Sequence, residues 1–363
     1  MSNGNYGMNT DIRAASTIPS RFYAHDDEFE ASKERIFAKS WQFITGEEFV
    51  KVPGSVFPFT LLEGALNEPL LFTRDDDDKL HCLSNVCTHR GNLVVEGPGV
   101  ERSLRCRYHG RRFALDGKFL SMPEFESCEG FPCDSDNLPK VQHDKWGPWL
   151  FASLDPVCSL HDYLKPMMDR VGWMPLNHAR FAPERARDYL VQAHWALYVD
   201  NYLEGFHIPY IHAALSETLD YSGYTTEISR YLNLQLGRAK GAEDSFELPK
   251  DSQDFGERIA AYYFWVFPNL MFNFYPWGCS VNIVRPLAKD RTKISFLPFV
   301  WDPSRLDTGA GGALDRVERE DEAVVEMVQQ GVKSRFYDRG RYSPAREQNV
   351  HHFHSLIAEF MER

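Results

Sequence analysis

The chain has 363 residues and a formal net charge of -12, with 43% hydrophobic and 25% charged residues. That balance is ordinary for a globular protein with an ample core, and the excess of acid disfavours nucleic acid and anionic membrane surfaces as partners. The length suggests two domains, or a small domain inserted in a larger one. Seven cysteines is an odd number, and the polar start MSNGNYGMNTDIRAAST lacks the apolar centre of a secretory leader. Reduced or metal-bound cysteine in a cytoplasmic protein is the expectation. The longest apolar stretch, near Tyr262 to Phe272, has the length of a core strand and is interrupted by Pro268 and Asn269, so no membrane span is expected.

Residues 1–25 read as a loose arm, and 26–40 as an amphipathic helix with Phe29, Ile36 and Phe37 on its apolar face. From 41 to 155 the pattern changes to short β-type runs such as SWQFITG, EPLLFTRDD and GPWLFASLD, with Asp116-Gly117 as a hairpin turn. This section holds Cys87-Thr88-His89 and, after sixteen residues, Cys106-Arg107-Tyr108-His109. Two thiolates and two imidazoles in tight pairs, carried on loops of a β-rich frame, suit a [2Fe–2S] centre in which two histidines replace two cysteines on one iron. The same ligand set also suits zinc. Asp155-Pro156 marks a boundary, and 160–215 reads as more helical. Aromatic and β-branched runs over 224–300 read as strands of a central antiparallel sheet. A loop at 308–313 and two helices, at about 313–335 and 344–361, close the chain, with Ser343 as cap of the last and Pro344 in its first turn.

A second constellation, Glu204-Gly205-Phe206-His207-Ile208-Pro209-Tyr210-Ile211-His212, places two histidines five apart. Pro209 is expected to break a helix between them, leaving one histidine at a helix end and the other beyond. Two histidines and one carboxylate, with open positions for oxygen, form the facial triad of non-haem Fe(II) sites. The helix at 313–335 offers the carboxylate. Its apolar positions are Leu314, Val317, Val324, Val325 and Val328, and Asp321 falls near the middle of that stripe, with Glu318 and Glu320 toward its edges. A carboxylate on a buried face is costly unless paired or metal-bound, which selects Asp321, with Glu320 next.

The motifs CTHRGN, CRYHG, NYLEGFHIPYIH and EDEAVVEMVQQG, in this order, resemble those of the catalytic (alpha) subunits of Rieske non-haem iron oxygenases over nearly the whole chain. The pattern is most similar to the carnitine, choline and betaine (quaternary ammonium) monooxygenase group. The resemblance implies an α+β fold: a β-rich Rieske [2Fe–2S] domain, 41–155, inserted in a helix-grip catalytic domain with a central antiparallel sheet, 156–363, to which the arm and helix of 1–40 belong. It implies that Cys87 and Cys106 bind one iron of the cluster and His89 and His109 the other, and that His207, His212 and Asp321 bind a mononuclear iron. Glu204, where ring-hydroxylating dioxygenases usually have aspartate, would bridge cluster and iron across the subunit interface of a homotrimer. The implied reaction takes O2 and electrons from NAD(P)H, delivered by a separate flavin and iron–sulfur reductase with or without a ferredoxin. It hydroxylates a small organic substrate or removes a methyl group from it.

Tyr202, Phe206, Phe264, Trp265, Phe274 and Trp277 are the expected substrate pocket. Such aromatics cage a quaternary ammonium by cation–π attraction, worth roughly 0.5–2 kcal/mol per contact. The same rings suit an aromatic acid, so a ring-hydroxylating dioxygenase is the alternative, and a Rieske-type electron carrier is the non-enzyme one. Strand alternation also puts many such rings in a core. His351, His352 and His354 read as packing residues, His194 as a structural histidine, Cys128 and Cys133 as free thiols, and Cys82, Cys158 and Cys279 as small buried residues. Absorption and EPR spectra with an iron count separate these readings. A cluster signal with additional iron is expected, and a colourless protein holding one zinc would overturn it.

Overall fold

In the computed structural model, which describes residues 6–211, 225–239, 244–306 and 314–363 (backbone only at 314–317), the chain divides into two compact units. One is Ala38–Leu160, and the other joins Met1–Phe37 to His161–Arg363. No helix among the described residues is long and apolar enough to cross a membrane.

The Ala38–Leu160 unit is built from ten short strands, all paired antiparallel. β1 (Gln42–Gly46), β10 (Trp149–Ser153) and β9 (Gln142–Trp146) make one sheet. β4 (Leu80–Ser84), β3 (Glu68–Arg74), β2 (Ser55–Leu61) and β5 (Gly99–Val100) make a second. β6 (Leu104–Arg105), β7 (Arg112–Phe113) and β8 (Phe119–Ser121) make a third. β3 explains the unbroken PLLF run, because it feeds two cores. Leu70 and Phe72 join Val50, Leu61, Cys82 and Leu150, while Leu71 joins Leu83, Leu104, Phe113, Cys87 and Cys106. The Asp116-Gly117 turn links β7 to β8. Gly117 has φ +87°, and a Cβ there would lie 3.2 Å from the Leu138 carbonyl oxygen. The two ends of the unit meet: Asp155 N–H donates to Ala38 O at 2.9 Å, and Trp41 Nε1–H to Cys158 O at 2.9 Å.

The larger unit holds α1 (Arg21–Ala24), α2 (Asp26–Ser32), α3 (Leu160–Val171), α4 (Trp195–Tyr202), α5 (Ile208–Ile211), α6 (Leu314–Gly331) and α7 (Gln348–Glu362). Its eight-stranded antiparallel sheet runs β11 (Arg180–Phe181), β18 (Arg291–Val300), β17 (Gly278–Ala288), β16 (Leu270–Tyr275), β15 (Ile259–Val266), β14 (Leu232–Arg238), β13 (Thr225–Ile228), with β12 (Arg187–Val191) also on β18. The middle strands are covered on both faces, so they read as continuous apolar runs rather than alternating ones. On one face Trp265 packs on Phe353 of α7, with ring centroids 5.1 Å apart. On the other, Tyr262 donates to Asp254 at 2.8 Å, and Asp254 holds Arg170 of α3 at 2.7 Å.

Several expectations change. The described part of the arm is anchored: Tyr6, Ala15, Ile18 and Phe22 are buried, Tyr6 N–H donates to Glu362 at 2.8 Å, and Arg339 donates to Tyr6 O at 2.7 Å. The section 160–215 also supplies the strands β11 and β12. The last helix begins at Gln348, because Ser343–Arg346 closes a turn of its own, in which Ser343 O accepts from Arg346 N and Glu347 N at 3.1 and 2.9 Å. Cys158 is only half-buried. The loop at 308–313 lies outside the described residues.

His194, the N-cap of α4, is fully buried, and its Nδ1 accepts from Ala196 N at 3.3 Å. Its ring packs edge-on against Phe22 and Tyr23, at 5.1 and 5.6 Å. Burial pushes its pKa down to about 3, so the folded chain holds it neutral. The folded pKa lies below the ordinary value, so this stabilisation is complete above about pH 6.5 and is lost as pH falls toward about 3. Denaturant titrations across that window should show falling stability, and His194→Gln should flatten the dependence.

Candidate metal centres

The two cluster loops are one backbone device used twice. Gly91 N–H donates to Cys87 O and Gly110 N–H to Cys106 O, each at 3.0 Å. Cys87 N–H donates to Asn92 O at 2.8 Å, and Cys106 N–H to Arg111 O at 2.9 Å. Both glycines take a positive φ, +74° and +77°, which lets the chain reverse four residues after each cysteine. The histidine falls at the second position after the cysteine in one loop and at the third in the other. The loops bring the pairs together. Cys87 and Cys106 are buried in one core cluster, and the rings of His89 and His109 lie edge to face with centroids 4.7 Å apart. The Asn92 amide donates to Cys106 Sγ at 3.6 Å.

Burial pushes the Cys87 thiol up, a rise that the His89 backbone N–H and, to a smaller extent, the Arg111 charge oppose. Burial lowers the His89 imidazole, helped by His109 and then by Arg111. Bare thiolates are thus disfavoured here, and a cationic partner would resolve the cost. Among the described residues no three His, Cys, Asp or Glu side chains gather as they would around a single ion. A cysteine end and a histidine end fit a two-iron cluster better than one tetrahedral zinc.

In the larger unit α4 ends at Tyr202, and a turn carries Glu204 and His207 into α5. Pro209 does not break a helix. It sits in the first turn of α5, where its missing N–H is no loss, while Tyr210 and Ile211 donate to His207 O at 2.9 and 3.0 Å. One carboxylate fixes His207 twice. Glu204 Oε2 accepts from its backbone N–H at 3.1 Å, and Oε1 from its Nδ1 at 2.7 Å. That contact assigns the proton to Nδ1 and leaves Nε2 facing Asp321, 3.4 Å from its Oδ1. Burial opposes charge on His207, but the Glu204 hydrogen bond and the charges of Glu204 and Asp321 outweigh it and raise its pKa.

α6 meets α4 along one turn of each helix. Tyr198 donates to Glu318 at 2.6 Å, and Asn201 donates to Asp321 at 3.1 Å. Asp321 rather than Glu320 is the carboxylate set against His207. His212 lies outside the described residues.

The expected substrate residues divide. Tyr202 donates to Asn273 of β16 at 2.6 Å, which marks the sheet face beneath the site. Tyr263 is paired with Asn273 across β15 and β16 and shares that face, as does Tyr275 by alternation. Trp277 stacks on Tyr275 with centroids 5.2 Å apart, and Tyr263 meets Tyr275 at 5.9 Å. Phe264 and Phe274 fall on the opposite face, where Phe264 lines a cavity with Pro166 and Arg170 of α3, so they are not brought to the site. Trp265 is on the near face but fully buried under α7. Phe206 is 41% exposed, beside Tyr210. Sequence reasoning missed Asn201, whose signal is its place one turn before Glu204, while Tyr263 and Tyr275 belong to the same aromatic stretch as the expected pocket.

Residues 177–363 match the ring hydroxylating alpha subunit (catalytic domain) family, and 40–132 match the Rieske [2Fe-2S] domain. The chain is 29% identical over 366 aligned residues to a chloroplastic choline monooxygenase of Arabidopsis thaliana, covering 95% of this chain and 83% of that protein. It is 29% identical to the carnitine monooxygenase oxygenase subunit of Escherichia coli (strain K12), covering 95% and 94%. The fold is similar to that of a quaternary ammonium Rieske monooxygenase whose structure is described as informing carnitine oxidation and inter-subunit electron transfer. The TM-score is 0.77 at 24% identity, covering 96% of each chain.

Asp321→Ala should leave the cluster EPR signal intact, empty the mononuclear site in an iron count and abolish turnover. Full activity would reassign the third ligand.

Proposed function

The chain belongs to the ring-hydroxylating alpha-subunit family with a Rieske [2Fe–2S] domain, which makes it a Rieske non-haem iron oxygenase with a small-molecule substrate, and on that premise we propose a quaternary ammonium compound as the substrate. The observation that carries this reading is the cluster of Tyr263, Tyr275 and Trp277, packed with Ala261 and with Tyr263 and Tyr275 on the sheet face that Tyr202 bonds. Ring faces attract a quaternary ammonium, which has no N–H to donate and needs no hydrogen-bond partner.

In this reading Cys87 and Cys106 hold one iron of the cluster and His89 and His109 the other, and His207, His212 and Asp321 hold the mononuclear iron. When bound, the cluster supplies electrons one at a time and the mononuclear iron offers O2 a position beside the substrate, so that a carbon is hydroxylated. Glu204 holds the Nδ1 proton of His207 and keeps Nε2 free to ligate. Asn201 holds one oxygen of Asp321 and so fixes the carboxylate's orientation. Tyr202 is held by Asn273, on the same sheet face as Tyr263 and Tyr275, and by Gln235 at 3.2 Å.

The partner is a reductase passing on NAD(P)H electrons, and the assembly is a homotrimer in the cytoplasm. There Glu204 of one subunit stands between its own His207 and the cluster histidines of the next. Support comes from the doubly bonded Glu204–His207 pair and from the inter-subunit transfer described for the solved relative. An aromatic acid remains the second reading, because a stacked Tyr275–Trp277 pair also suits a planar ring.

Oxygen and NAD(P)H consumption with a reconstituted reductase, across betaines and aromatic acids, should favour the betaines. Trp277→Ala should lower kcat/KM about 2- to 30-fold for the cationic substrate, the loss of roughly 0.5–2 kcal/mol of cation–π attraction. An equal loss for a neutral isostere, or turnover of aromatic acids alone, would transfer the assignment to the second reading.

A further inference from the structure

Arg111 is left over by the ligand assignment. It follows the second cluster loop directly and is 2% exposed. Its guanidinium lies over three rings: Phe113 at 5.7 Å, Phe119 at 5.0 Å and Phe131 at 5.4 Å. Nη2 donates to Asp136 Oδ1 at 2.5 Å and to the Asp136 carbonyl at 3.2 Å, while Nε has no hydrogen-bond partner among the described residues.

Asp136 is itself bound to the other cluster loop. Its carbonyl accepts from Thr88 Oγ1 at 2.8 Å, and Thr88 lies between Cys87 and His89. Its second carboxylate oxygen accepts from Cys133 N–H at 2.7 Å. One ion pair therefore fastens both loops, and its cation acts electrostatically on Cys87 and His89.

A buried cation is costly, and here one carboxylate and three ring faces offset the cost. A fixed charge at that place bears on electron transfer. The cluster gains one negative charge on reduction, so a neighbouring cation stabilises the reduced form and a neighbouring anion destabilises it. Burial weakens solvent screening of Arg111 most, while Asp136 keeps some exposure.

We propose that the Arg111–Asp136 pair sets the reduction potential of the cluster, with Arg111 as a positioning residue that favours the reduced form and Asp136 as its counter-charge. The proposal rests on assigning the cluster to Cys87, His89, Cys106 and His109, which the wild-type EPR signal and iron count check separately.

The test is an EPR-monitored redox titration of the full-length, iron-loaded protein and of R111M, R111K and D136N. R111M should lose at least tenfold in its reduction equilibrium, a potential about 59 mV lower for a one-electron couple. R111K should stay near wild type, and D136N should move upward. A purely structural role would lower cluster content or the thermal midpoint in both R111M and D136N without opposite shifts in potential. An R111M potential equal to wild type, with the cluster intact, overturns the proposal. If R111M does not retain the cluster, D136N decides, and an unchanged or lower potential there overturns it. A wild-type protein without the cluster signal would remove the assignment beneath it instead.

Discussion

A carboxylate set beside an imidazole away from bulk water governs how the larger unit is assembled. Asp321 and His207 lie 3.4 Å apart, and neither tolerates that place alone. Each is held from behind, His207 by Glu204 and Asp321 by Asn201. Those contacts fix the turn after α4 and the rotation of α6. With Tyr198 on Glu318 one turn earlier, the facing sides of α4 and α6 are joined by polar bonds. The apolar remainder of α4, including Trp195 and Val199, is then left to pack elsewhere, and Trp195 meets Phe353 of α7 at 5.8 Å.

The smaller unit meets the same demand with backbone. Its ligands come from two loops that share one reversal, each closed by a glycine and by a return bond to the cysteine N–H. Both cysteines belong to a core with Leu71, Leu104 and Phe113, so the thiols are placed by hydrophobic packing, while the histidines sit nearer the surface. The asymmetry suits a cluster with a thiolate end that needs shielding and an imidazole end that must reach a partner.

What the sequence reveals follows from how each feature is encoded. The paired loops were legible because local spacing alone puts a cysteine and a histidine on each short loop, and the structure brings the rings of His89 and His109 together. Asp321 is read from an apolar stripe that the structure keeps only in part, since Val325 is buried but Val328 is exposed and Glu318 and Gln329 share the covered face. Phe264 and Phe274 were misplaced for a different reason: strands buried on both faces show no alternation, and only the pairing register tells which ring faces Asn273. Pro209 misled because a proline reads alike as the end of one helix or the start of the next. The arm hides its few buried anchors, Tyr6, Ile18 and Phe22, in a polar composition. Arg111 has the look of a solvated charge, since nothing nearby in sequence announces Asp136 or the three rings that enclose it.

The meeting of Ala38 with Asp155 and of Trp41 with Cys158 has a consequence for lineage rather than for chemistry. A segment that leaves and re-enters through one doorway interrupts its host at a single point. Its loops can lengthen and its charges can change without re-threading the eight-stranded sheet of the host. Change can therefore accumulate in the inserted segment and in its host as two nearly separate bodies within one chain.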